Sequence, residues 1–108
     1  MKFIAAGEGK AYTPDGHDAS VTSRIIYKEA VDVHTTSFPA GAGMAEEVHA
    51  DKSHVFYVLK GRMDVFQDGK LLKNLKKDEA VVIPAGEPHE IRNGTAEEMV
   101  FLAITFGI

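Results

Sequence analysis

A chain of 108 residues, 44% hydrophobic and 26% charged, supports one domain around one core and has the composition of an ordinary globular protein. Its formal net charge of −4 argues against a nucleic-acid partner. No apolar run approaches the roughly 18 residues that a membrane helix needs, so the chain reads as cytoplasmic with no membrane partner. The absence of cysteine excludes disulfides and thiolate metal sites and leaves imidazole and oxygen as donors for any transition metal.

Residues 1–6 form a short apolar run ended by Gly7 and Gly9, suited to an edge strand or to an arm on a neighbouring subunit. Pro14, Asp15 and Gly16 predict a turn, because proline fixes φ and glycine frees it. Residues 20–28 are rich in β-branched and aromatic side chains and read as a strand. A second strand is expected over 31–38, with Val31, Val33 and Thr35 on one face and Asp32, His34 and Thr36 on the other. The Pro39 to Gly43 stretch breaks it.

A short strand over 47–51, a turn at Lys52-Ser53 and a strand over 54–59 are expected next, with Gly61 as a kink before 62–67. Asp68-Gly69 is the strongest hairpin signal, since both central positions of a type I′ turn need positive φ. Residues 70–75 return, and the basic run from Lys70 to Lys77 reads as a solvated face. Strands over 80–83, 89–93 and 99–106 follow, with a tight corner from Pro84 to Pro88. No window carries helical periodicity over a helix length. Short strands with glycine or proline at each corner predict one all-β domain, an antiparallel barrel or sandwich.

Three histidines stand out. In the expected strand over 47–51, His49 and Asp51 project to one face, because side chains alternate. His54 shares its strand face with Phe56 and Val58, and His89 leaves the proline corner. Three imidazoles at one cavity suit one divalent transition metal per chain (Zn, Mn, Fe, Ni or Cu), and an aspartate oxygen could add a fourth ligand.

These segments resemble the paired motifs of the cupin superfamily. The first motif runs glycine, five residues, His-x-His, three or four residues, glutamate, six residues, glycine. Gly43, His49, His54 and Gly61 are placed on it, with Asp51 where the second histidine belongs and His54 where the glutamate belongs, and with a shortened gap between them. The second runs glycine, five residues, Pro-x-Gly, two residues, histidine, three residues, asparagine; Pro84, Gly86, His89 and Asn93 fit, and Asp78 replaces the opening glycine. The resemblance implies a single-domain double-stranded β-helix (jelly-roll barrel) over 1–108, with core motifs at 43–61 and 78–93. It further implies metal ligands His49, His54 and His89, with Asp51 either a fourth ligand or turned to solvent, and Asn93 as an orienting group. If the metal has been lost, His54 hydrogen-bonds inside the pocket.

His17 reads as a loop residue, with closure over the cavity mouth as a proton shuttle the alternative; His34 reads as a surface histidine; and Glu46 and Glu47 read as a solvated pair near His49, with one of them reaching the metal or acting as a general base the alternative. Tyr57 and Arg92 alternate away from the histidine faces. An apolar outer row of Val55, Tyr57 and Leu59 suggests a homodimer, as the resemblance also does. The function that follows is dioxygenase-, isomerase- or lyase-type chemistry on a small organic molecule at a three-histidine metal centre. The alternative is a non-catalytic module that binds or senses a small ligand. Fold analogy does not choose between them.

Overall fold

The computed structural model describes residues 1–107. Among the described residues nine strands form: β1 (Ala11–Tyr12), β2 (Thr22–Lys28), β3 (Val31–Phe38), β4 (Lys52–Lys60), β5 (Met63–Gln67), β6 (Lys70–Leu75), β7 (Ala80–Ile83), β8 (Glu90–Arg92) and β9 (Met99–Gly107). No helix occurs among the described residues, so none is long and apolar enough to cross a membrane. All pairings are antiparallel, in a six-stranded sheet ordered β1-β2-β3-β9-β4-β7 and a three-stranded sheet ordered β6-β5-β8. This is the all-β antiparallel architecture that the corner spacing predicts, in the jelly-roll form that the resemblance implies.

The core lies between the two sheets. Phe38, Val58, Met99 and Phe101 come from the larger one and Met63, Val65, Leu75 and Ile91 from the smaller, all buried in one cluster. Met44, on the stretch before the site, is also buried in that core. The hairpin tip falls where its chemistry requires, with Asp68 at φ 52° and Gly69 at φ 77°. Asp78 holds φ 70°, the left-handed conformation that a glycine would take at the opening of the second motif. Aspartate is among the few other residues that enter it readily.

Two expected strands do not form. Residues 1–6 are exposed and form no strand in this chain; just after them, the Arg24 guanidinium donates to the carbonyls of Gly7 (3.0 Å) and Gly9 (2.6 Å). Residues 47–51 form no strand either. The turn lies at Ala50-Asp51, and β4 already begins at Lys52.

Asn93 also has a different task from the one expected. Its buried side-chain amide donates to the carbonyls of Phe38 (2.9 Å), Pro39 (3.1 Å) and Glu97 (2.7 Å), and its Oδ1 accepts from the Thr95 amide and hydroxyl. It ties the end of β3 to the β8–β9 connection and touches no histidine. Asn93→Ala leaves those carbonyls short of donors at a cost of roughly 1–3 kcal/mol. Thermal denaturation should show Tm lowered by about 5–15 °C, and an unchanged Tm contradicts this role.

Candidate metal centre

The inward face of β4 carries His54, Phe56 and Val58, all buried. His89 immediately precedes β8, and His49 lies on the irregular segment before β4. What brings the three together is a backbone zipper. The Glu47 and His89 amides each donate to the other residue's carbonyl, at 2.9 and 3.0 Å. The Gly86 amide donates to the His49 carbonyl (2.7 Å), and the Ala85 amide to Ser53 Oγ (3.1 Å). Gly86 holds φ 83°, which suits glycine and lets the corner aim its amide back at His49.

The imidazoles of His49, His54 and His89 converge, each offering a nitrogen within 4.8 Å of the others. Ring centroids are 4.9 Å apart for His49 and His54, 5.3 Å for His54 and His89, and 6.0 Å for His49 and His89. His89 Nδ1 donates to the Glu87 carbonyl (3.1 Å), which leaves its Nε2 with a free lone pair. His54 Nδ1 is hydrogen-bonded to Thr105 Oγ1 (2.8 Å). The Nε2 atoms of both His54 and His89 are buried without a hydrogen-bond partner. Such atoms cost roughly 1–3 kcal/mol each when left unmet. The donor set therefore fits a transition metal: outer nitrogens anchored, inner ones unmet and convergent.

Asp51 does not join the cluster. Sharing a face with His49 needs an extended strand over 47–51, whereas Asp51 sits exposed in the turn before β4 and only lines the cavity. The nearby carboxylate is that of Glu47, with Oε1 3.4 Å from Nε2 of both His49 and His89. These are ion-pair distances and not hydrogen bonds. Burial pushes the Glu47 carboxyl up, but the flanking imidazoles of His89 and His49 outweigh it and hold it below the usual range. For His89, burial works downward, and Glu47 with the Glu87 carbonyl reverses the balance so that its pKa is raised. His54 has no such counterweight; burial, then the neighbouring His89 and His49, lower it to about 4. Glu46 instead accepts from the Asp68 amide at the hairpin, 2.6 Å away.

A cavity of about 390 Å³ opens from the histidines. Phe56 and Phe101 form its apolar wall, and Tyr12, Ser23, Asp32, His34 and Thr36 its polar one. His34 is thus a cavity residue and not a surface one. His17, half-buried at its mouth, sits edge-on to Phe38 at 5.8 Å. Tyr57 points outward as expected and donates to Asp78 Oδ1 (3.0 Å), and Arg92 is exposed beside Glu90.

Residues 34–105 match the family model for the cupin domain. The chain belongs to the cupin family. Similar solved structures include a protein described as a predicted oxalate decarboxylase from Thermotoga maritima, with TM-score 0.87 and 17% identity over 99% of this chain and 100% of that one. The polyketide cyclase RemF from Streptomyces resistomycificus gives TM-score 0.84 and 23% identity over 97% and 78%. A cupin domain of an XRE family transcriptional regulator from Enterobacter cloacae gives 0.72 and 18% over 82% and 98%. At these identities the likeness is one of fold. None of the curated proteins compared matches the sequence.

For this cupin, the geometry corrects the register of the first motif. Moved back by two residues, it reads Gly41, five residues, Glu47-x-His49, four residues, His54, six residues, Gly61. The shortened gap disappears. What remains is an exchange in which glutamate stands at the first histidine position and histidine at the glutamate position. That regular spacing was the available signal for Glu47.

With its pKa lowered, the His54 imidazole in metal-free protein stays neutral between about pH 5 and 8 and charges only as pH falls through about 4. An NMR titration of its ring proton checks this; a midpoint near 6.5 contradicts it.

Proposed function

We propose that this cupin binds one divalent transition metal through His49, His54 and His89 and uses it to act on a small polar organic molecule held in the adjoining cavity. The observation that carries this reading is the pair of unpartnered buried nitrogens, Nε2 of His54 and of His89, aimed at the third imidazole. Bound there, the ion supplies a Lewis acid or, if redox-active, a centre with open positions. The chain's own part is to present and shield it. The Glu87 carbonyl and the Thr105 hydroxyl fix the ring orientations of His89 and His54. Phe56 packs on both of those rings and on Phe101, excluding water from that side.

The cavity lining supports a polar ligand of modest charge. Ser23, His34 and Thr36 offer hydroxyl and imidazole groups, while Asp15, Asp32, Glu47 and Asp51 face only one lysine, Lys52. A ligand with several negative charges meets repulsion there unless the metal offsets it. The second reading is a binding or sensing module without turnover, supported by the likeness to a regulator's cupin domain. Turnover by the metal-loaded protein separates the two.

A second copy of the chain is the proposed partner. On the outer face of the six-stranded sheet, Val33, Ile104, Val55 and Val82 lie side by side across four strands, and Tyr57 and Leu59 continue the apolar surface. Such a surface favours burial against another molecule.

Two expected outcomes follow from these assignments. In competition with a chromophoric chelator, His89→Ala should weaken metal affinity by about 100-fold or more, and His34→Ala should leave it unchanged; equal affinities for His89→Ala and wild type remove the site assignment. Sedimentation analysis should give twice the chain mass for wild type and the single chain mass for Val82→Asp, whose side chain is 65% exposed in the monomer. A monomeric wild type contradicts the dimer.

A further inference from the structure

We propose that the cavity wall across from the three histidines, built on Asp32, His34 and Tyr12, is a second recognition point that takes the hydroxyl groups of a polyhydroxylated ligand. This deepens the reading above, on which it rests, by naming the class of molecule that the cavity holds.

The sheet register sets the position of this wall. Asp32 on β3 lies opposite Thr105 on β9, and Thr105 lies opposite His54 on β4. Adjacent strands stand about 4.8 Å apart, so the backbones of Asp32 and His54 are separated by roughly 10 Å along one cross-strand row. One row further on, His34 lies opposite Ala103, and Ala103 opposite Phe56. Asp32 and His34 are half-buried and line the cavity. Among the described residues, neither makes a side-chain hydrogen bond or ion pair within the protein, so both are free to meet a ligand.

The chemistry of the wall selects the ligand. Asp32 only accepts hydrogen bonds, whereas a neutral imidazole both donates and accepts. Burial lowers the pKa of His34; Asp32 pulls the other way, and His17 and Lys28 push it down further. The hydroxyls of Tyr12, Ser23 and Thr36 extend this mixed character, the last two already bonded to each other at 2.7 Å. A ligand hydroxyl donates to Asp32 while accepting from His34, and two neighbouring hydroxyls meet both oxygens of the carboxylate. An ammonium group would leave the imidazole N–H without an acceptor, and Lys28, opposite Asp32 on β2, adds positive charge at that edge. A second carboxylate would meet Asp32 with like charge. The Tyr12 ring, 6.5 Å from that of His34, offers apolar surface to the carbon skeleton.

The test uses the full-length protein, zinc-loaded and metal-free, with four six-carbon acids: gluconate, hexanoate, 6-aminohexanoate and adipate. All share a carboxylate at one end and differ along the chain or at the far end. Dissociation constants come from NMR titration of backbone amides, with zinc content checked before and after and Tm measured on each variant. Wild type should bind gluconate about 10-fold or more tightly than the other three. That preference should fall to about 2-fold or less in Asp32→Ala and in His34→Phe. His34→Gln, which keeps a donor and an acceptor, should retain most of it. Gluconate binding no tighter than hexanoate, or none of the four binding, overturns the proposal. So does 6-aminohexanoate binding tightest, which would make the wall a cation site, and so does a preference that survives in both Asp32→Ala and His34→Phe. Because the preference is a ratio between ligands with a common carboxylate, the metal-free protein decides it too. Failure of wild type to take up zinc therefore counts against the metal reading and leaves the wall to be judged by that ratio.

Discussion

Everything at the site depends on the backbone zipper that joins residues 47–53 to the Pro84–His89 corner. Four hydrogen bonds, from Glu47, His89, Gly86 and Ala85, hold two chain segments together that share no regular strand pairing. Without them His49 would sit on an irregular loop free to move away from His54 and His89. Backbone donors and acceptors must be met wherever they are buried. Here the same bonds that meet them fix where three imidazoles and a carboxylate end up. The prolines and glycine of the corner serve this purpose directly, since the Gly86 amide reaches His49 only from a backbone at φ 83°.

The six-stranded sheet inverts the usual arrangement of polar and apolar faces. Near the cavity its inner side bears Asp32, His34, Thr36 and Thr105, and its outer side bears Val31, Val33, Ile104 and Phe106. Ser23 and Thr36 are fully or nearly fully buried and satisfy each other through a 2.7 Å hydroxyl pair. Polar groups on an inward face cost free energy unless they are paired or wetted. A sheet that keeps them there and turns valines outward is shaped for a polar ligand inside and for another protein surface outside. Deeper along the same strands the ordinary pattern returns, with Phe38 and Phe101 joining the core between the sheets. The site is thus the polar mouth of an otherwise apolar barrel.

Most of the fold was legible in the letters. Alternation and corner residues place eight of the nine strands described within a residue or two, and Asp68-Gly69 marks its hairpin without help from the rest of the chain. Legibility fails where tertiary contacts override local pattern. Glu47 to Asp51 alternates like a strand, but its pairing is with a corner and not with a sheet, so the face-sharing of His49 and Asp51 is lost. The alternation of β3 is as the letters give it, but its polar face, with His34, lines the cavity, and its apolar face lies outside, the reverse of the usual arrangement. The spacing of His49, His54 and His89 marks them as a cluster, whereas Glu47 falls on the motif only when the pattern starts at Gly41 and not at Gly43.

The central claim is that three imidazoles hold one metal ion, and elemental analysis of the purified, untagged wild-type protein tests it most directly. Metal per chain is measured as isolated, after stripping with a chelator, and after reloading with manganese, iron, nickel, copper or zinc in turn. The account predicts close to one equivalent of at least one of these ions, removed by the chelator and restored on reloading. No metal as isolated, together with no retained uptake of any of the five, would contradict it.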